Sequence, residues 1–346
     1  MASNNRIFYA CQAVVISPEM GIPPIAKNVV KGVQSVGMSS TFTLDQVFEL
    51  GQIEIYDNIE EVADIEVTLE KVIDGERLIF DFASNETCKS DIVTASKNRC
   101  DVWLALFDDG LKHATGIPRN ICWNSGMYTS SVSYSYSVDG SATESVTLVG
   151  NDRMWNSVKG DAKDHPTEIW VSDVTAGFDG SDTPISGVVR RVDVDIAGSQ
   201  IPAVVLGQTD HQNVVGLGAG AHIQSITVST DMGQENIQEL GRFGPYARYA
   251  TFPIEVTAEF EVIATSGDLV SVSGSATTLT DQDIFIADTA GTMLDLGGGS
   301  SADGTGKNKL SSVSYSGGDT GGGNATVSYS FSNFNDLTVN GGHTIT

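Results

Sequence analysis

Residues 65–70 read IEVTLE and residues 254–259 read IEVTAE. In both, apolar residues alternate with Glu and Thr, the period of two that turns one set of side chains into a core and the other into water. The apolar set is Ile65, Val67 and Leu69 in the first stretch and Ile254, Val256, Ala258, Phe260 and Val262 in the second and its continuation. The polar sets are Glu66, Thr68 and Glu70, and Glu255, Thr257, Glu259 and Glu261. Six matching residues settle little alone, so their surroundings decide whether the chain carries a repeat.

The surroundings match. VQSVGMSSTFTLDQVFELG (33–51) aligns with IQSITVSTDMGQENIQELG (223–241) at an offset of 190, and the opening pair follows at 189. Downstream, DVWLAL (101–106) meets DIFIAD (283–288), SSVSYS occurs at 130–135 and 311–316, and SVTLV (145–149) meets TVSYS (326–330). The order is kept while the offset falls gradually to 181, as small loop deletions would produce. The chain therefore reads as a tandem duplication, with one copy at 1–157, a polar, turn-rich linker at 158–187, and the second copy at 188–346.

Within a copy, STFTLDQVFELGQ carries a helix signature: Thr43 as N-cap, Gln46 completing a capping box, Phe42 and Val47 as a staple, and Gly51 just past the end. The corresponding box in the second copy uses Asp231 and Gln234. A hairpin follows near the end of each copy, with Asp139-Gly140 expected to form a type I′ turn. Each copy opens on a β-rich lead-in, RIFYACQAVVIS in the first and VVRRVDVDIAGSQIPAVVLG in the second. The fold class is mainly β: two tandem small antiparallel β-sandwich or open-barrel domains, each with one short helix.

Composition narrows the function classes. With 44 acidic and 19 basic side chains the formal charge is −25, the wrong sign for a protein that grips phosphate backbones. No window approaches the length of an apolar membrane span, and MASNNRIFYACQ has no signal-peptide core, which leads to the expectation of folding in a cytoplasm. Cys11, Cys88, Cys100 and Cys122 form no CxxC pair and read as free thiols. The histidines (His113, His165, His211, His222, His343) show no ligand spacing, GGGSSADGTGKNK (297–309) fails the phosphate-loop pattern, and no GxSxG occurs. No catalytic, cofactor or metal site is expected.

The stretch 33–76, with its strand, capped helix, long polar connection and alternating acidic strand, resembles the tail tube proteins of tailed bacteriophages. It is most similar to the form whose tube domain is duplicated in one polypeptide, as in some long non-contractile tails. The resemblance implies a structural virion protein, assembled in host cytoplasm, whose domains surround a lumen six at a time. A duplicated chain would form a homotrimeric, pseudo-hexameric ring closed into one large continuous β-barrel, and stacked rings would form a channel for double-stranded DNA. Tape-measure and other tail proteins would be partners. On this reading Glu66, Thr68, Glu70, Glu255, Thr257, Glu259 and Glu261 are expected to face the lumen. Ring-to-ring contacts are expected from 1–30, 52–64 and 242–253, through Ile53, Ile55, Tyr56, Ile59, Phe243, Tyr246 and Tyr249. Two other readings stay open: the inner tube of a contractile tail, and an acidic secreted surface-layer or glycan-binding β-protein.

Overall fold

The computed structural model describes residues 7–17, 29–84, 89–107, 120–157, 187–196, 198–207, 222–273, 279–298, 306–318 and 323–341. Cys88, His113, His165, His211, His343 and nearly all of the expected linker lie outside them. In chain order the first half contains β1 (Gln12–Ser17), β2 (Val33–Thr41), β3 (Leu44–Phe48), β4 (Ile55–Glu60), β5 (Asp64–Val72), α1 (Ile79–Ala83), β6 (Lys89–Asp91) and α2 (Ile92–Ala95). It continues with β7 (Arg99–Leu106), β8 (Asn120–Ser137), β9 (Thr143–Gly150) and β10 (Asp152–Ser157). The second half contains α3 (Ala203–Leu206), β11 (Ile223–Asp231), β12 (Gln234–Ile237), β13 (Ala247–Ala250) and β14 (Glu255–Ile263). It ends with β15 (Ile284–Ala287), β16 (Met293–Leu296), β17 (Lys309–Ser316), β18 (Thr326–Phe334) and β19 (Leu337–Asn340). The protein is thus mainly β with a few short helices.

One antiparallel sheet runs in the order β2-β5-β9-β8-β11-β14-β18-β17, open at both ends and not closed into a barrel. Its first four strands and its last four repeat one arrangement. An extra residue bulges out at Gln34 in β2 and at Gln224 in β11, and each Gln donates its side-chain amide to the carbonyl two residues back, Gly32 and His222. The bulge at Ser130 in β8 recurs at Ser311 in β17. Ser35 donates to Glu70 at 3.2 Å, and Ser225 donates to Glu261 at 3.3 Å.

This last pair corrects the register read from sequence. Ser35 and Ser225 are equivalent, so Glu70 corresponds to Glu261, not to Glu259. A two-residue slip leaves every side chain on the same face, so the alternating pattern matches equally well either way. The faces themselves stand as read: Ile65, Val67 and Leu69, and Ile254, Val256, Ala258, Phe260 and Val262, are buried in a core shared by both halves.

Three local expectations fail. The capped helix near Thr43 is β3, paired antiparallel with β4 from Leu44 opposite Glu60 to Phe48 opposite Ile55; its counterpart is the β12–β13 hairpin. Seven or eight residues fall below the length at which a helix holds itself, and these are exposed with no core to pack on, so cross-strand bonding wins. Gly51 (φ +95°) and Gly241 (φ +85°) serve as hairpin-turn glycines instead of helix stops. The β8–β9 connection is not a two-residue type I′ turn: five residues separate the strands, and neither Asp139 nor Gly140 has positive φ. Among the described residues of the second lead-in only isolated bridges form, Arg190 with Ser141, Val194 with Asp288 and Gln200 with Phe285, followed by α3. The first lead-in does form β1, laddered to β7.

Outside the main path, β7 and β10 flank the N-terminal half of β8, and β15, β16 and β19 form the corresponding small sheet of the second half. That small sheet is extended by β6, a strand from the first half.

Candidate assembly surfaces

The polar face of the long sheet is built from small hydroxyls and carboxylates. Ser133, Ser135 and Ser137 of β8, Thr227 and Ser229 of β11, and Ser328, Ser330 and Ser332 of β18 alternate with the buried residues of their strands, and Ser35, Ser39 and Thr41 of β2 share this face. Among them stand Glu66 and Glu70 on β5, with Thr68, and Glu255, Glu259 and Glu261 on β14, with Thr257; all are exposed or half-buried. Asp64 opens β5 on this side, held by Arg248 at 2.8 Å, and Lys309 at the end of β17 is neutralised by Asp281 at 2.8 Å. The face is hydrophilic and carries mainly acid.

The sheet edges are the second surface. At the centre of the sheet β8 pairs with β11, so Ser133 lies opposite Ser229 and Tyr134 opposite Val228. The two outer edges are the counterparts of these strands: β2 corresponds to β11, and β17 to β8. What is buried in the centre is open at the rim. Tyr134 is 0% exposed and its counterpart Tyr315 is 55% exposed. Val132, Ile226 and Val228 are buried, whereas Val313, Val36 and Met38 are only half-buried. Among the described residues no strand pairs with the outer side of β2 or β17, although Arg153 donates to the Ser39 carbonyl at 3.0 Å, and such an edge with part-covered apolar side chains invites another strand.

The third surface is the pair of projecting hairpins. Ile53, Ile55, Tyr56 and Ile59 on the first, and Phe243, Tyr246 and Tyr249 on the second, are all exposed, and Leu50 and Leu240 are fully so. The sequence reading missed Phe42, Leu44, Phe48 and Leu50 as members of this group, because it assigned them to a helix; their exposure becomes legible only once β3 is recognised as a strand.

Among the described residues no three His, Cys, Asp or Glu side chains gather as a metal site. Cys11, Cys100 and Cys122 are buried free thiols; burial pushes Cys122 up to about 11 and Cys100 higher still, so neither supplies a thiolate near neutrality. No helix among the described residues is long and apolar enough to cross a membrane. One buried carboxyl is structural: Glu144 on β9 accepts the N–H groups of Ile79 and Phe80 and the Tyr134 hydroxyl, which seats α1 against the sheet. Its burial pushes its pKa up to about 7 against the lowering effect of those two N–H groups.

No protein-family model matches the chain, and no curated protein matches it. Solved structures do. A chain from the structure of the anti-feeding prophage cap (AFP tube terminating cap) is 14% identical at TM-score 0.33, covering 45% of this chain and 95% of that one. A chain from the sheath-tube complex of PVC, an extracellular contractile injection system, in its extended state is 12% identical at TM-score 0.33, covering 44% and 93%. A third, from the PVC sheath/tube terminator, is 16% identical at TM-score 0.33, covering 45% and all of that chain. Likeness at this level carries nothing about role; it records that this chain is similar over less than half its length to chains from tail-tube assemblies.

Proposed function

We propose that the protein is the tube subunit of a tail, a structural virion component in which two fused tube domains, 1–157 and 188–346 joined by 158–187, act as two of the six around a lumen. The observation that carries this is the internal β8–β11 junction, together with the two free edges that are its counterparts. The junction is heterologous, since a different edge of each half takes part, and a heterologous contact repeated by a rotation that divides the full turn closes a ring. Pairing β17 of one chain with β2 of the next repeats it, placing Ser314 opposite Ser39 and Tyr315 opposite Met38. Three chains would complete a trimeric, pseudo-hexameric barrel with no edge left open.

In such a ring the hydroxyl and carboxylate face lines the bore, with Glu66, Thr68, Glu70, Glu255, Thr257, Glu259 and Glu261 toward the channel. Three chains at −25 each bring roughly −75 per ring. A wall of acid and short hydroxyls makes none of the Lys/Arg contacts that release counterions and hold DNA, so double-stranded DNA slides. The exposed hairpins supply ring-to-ring contacts, and tape-measure and other tail proteins are the further partners in the virion tail. The long non-contractile tail is the form favoured by the duplication; the inner tube of a contractile tail is compatible with the same surfaces. Electron microscopy of the purified full chain tests the reading. Rings or tubes built from three chains support it, and monodisperse monomers at all concentrations overturn it.

A further inference from the structure

The inner junction is held by more than the β8–β11 ladder. Just past β11, Met232 donates its N–H to the Ser130 carbonyl at 2.7 Å, and the residue is 0% exposed. The β12–β13 hairpin that follows is seated on the first half. Gln234 donates to the carbonyls of Thr129 at 2.9 Å and Ser96 at 3.3 Å, and buried Arg248 donates to Asp64 at 2.8 Å and Asn151 at 3.1 Å. A two-stranded hairpin standing alone is marginal in water, so a seat of this kind fixes it.

The first half carries the same hairpin without the seat. The Thr43 carbonyl accepts from Glu61 as the Gly233 carbonyl accepts from Thr251, and ELG at 49–51 repeats at 239–241. Phe42, Leu44 and Asn58 therefore occupy the positions of Met232, Gln234 and Arg248. Phe42 is 72% exposed, and β3 and β4 are exposed along their whole length. The matching seat on the second half follows from the repeated bulges and ladders: Ser311 and Leu310 stand for Ser130 and Thr129, and Glu255 for Asp64. Asn335 stands for Asn151, each bonding the backbone just before its acidic residue: Asn151 donates to the Ala63 carbonyl, and Asn335 accepts the Ile254 N–H. Phe334, opposite Glu255, is 58% exposed beside this seat.

We infer that the β3–β4 hairpin of one chain latches onto the second half of its ring neighbour. Phe42 is covered there as Met232 is, with its N–H on the Ser311 carbonyl; Leu44 lies against Leu310, and the Asn58 amide donates to Glu255. The occupant is a second copy of this chain. Continuity with the β17–β2 seam selects it, because Phe42 directly follows β2 and the rotation that repeats β8–β11 also carries the hairpin onto this seat. Phe42 is the anchor, an aromatic whose burial dominates such a contact. The hairpin tip stays outside the latch: Leu240 is fully exposed although its own hairpin is seated, so Leu50 and Ile53 remain available for ring-to-ring contacts.

This inference rests on the ring reading, and the readouts separate the two. The oxidised full chain carrying Ser39→Cys with Ser314→Cys reports the ring, because opposed strand positions lie within disulfide reach. Phe42→Ser changes an exposed site and should leave the melt of the single chain unaltered. By sizing chromatography and electron microscopy, the full-length Phe42→Ser chain is expected to form three-chain rings only at about tenfold higher concentration than the parent. Rings at the parent's concentration, stacked or unstacked, overturn the latch and leave the ring reading standing; a chain that gives neither rings nor cross-links overturns both. Asn58→Arg, which copies the inner latch, gives a second readout: rings forming at about threefold lower concentration, with the gain lost when Glu255→Gln is added. No gain, or a gain that survives Glu255→Gln, counts against the latch.

Discussion

The two halves of the chain share a strand order and differ in what they bury. In the first half Tyr134 lies opposite Glu144; in the second, its counterpart Tyr315 lies opposite Val327. Lys71 lies opposite Val33, whereas Val262 lies opposite Ile223. Buried Lys71 is held by Asp74 at 2.7 Å and the Lys31 carbonyl at 2.9 Å, while buried Glu144 is satisfied by α1 and Tyr134. The second half replaces this network with apolar packing, including Phe260 edge-on to Phe331 at 5.9 Å. It also breaks the long β8 into β16 and β17, with 297–308 between them. One wall can thus be backed by two different interiors: what both halves keep is the set of ladders and bulges that fixes the edges, which is what an assembly built by repeating one junction requires.

The largest effects should come from comparing the inner junction with the outer edge. Val228→Asp buries an unpaired carboxylate, at a cost of several kcal/mol against a total stability of about 5–15 kcal/mol; circular dichroism should find it unfolded. Met38→Asp, the matching change at the free edge, should keep a cooperative melt and abolish rings by sizing chromatography. A folded Val228→Asp chain would mean the junction is not part of the monomer core.

Next in size, Glu144→Ala leaves two N–H groups and a hydroxyl without their acceptor and should cost about 3 kcal/mol, read by denaturant melts. The matching Val327→Ala loses only methyl groups, about 1–3 kcal/mol. The pH dependence separates them further. The folded-state pKa of Glu144 is raised to about 7 from the ordinary 4.5, so the folded chain takes up this proton first as pH falls. The group therefore adds stability as pH drops from 7 to 4.5 and withdraws it as pH rises through 7, on the order of 3 kcal/mol. Glu144→Gln should lack that slope relative to the parent, and Val327→Ala should keep it.

Smaller on the monomer are changes on the hairpins. Leu50→Ser with Ile53→Ser should leave the melt unchanged and yield rings that no longer stack, seen by electron microscopy as short particles. Smallest on stability, Glu66→Lys with Glu259→Lys should assemble normally, yet slow DNA ejection and make it salt-dependent; an unchanged ejection rate would move these strands away from the bore.

The alternating strands were legible because Ile65, Val67 and Leu69 against Glu66, Thr68 and Glu70 write the buried and wet faces directly. The repeat was legible from VQS and IQS, whose Gln34 and Gln224 prove to be the bulges. Its register within β5 and β14 was not, nor that within β9 and β18, where Ser145 matches Ser328 and not Thr326, since a period-two pattern is blind to a slip of two. The false helix at Thr43 arose because local capping signals ignore what an exposed segment can pair with.

The central claim, that β17 of one chain adds to β2 of the next in the register of β8–β11, is tested most directly by the oxidised Ser39→Cys/Ser314→Cys chain. The account predicts a non-reducing ladder that ends at three chains, with either single variant remaining uncross-linked. Monomers alone, or a ladder that continues past three, would contradict it.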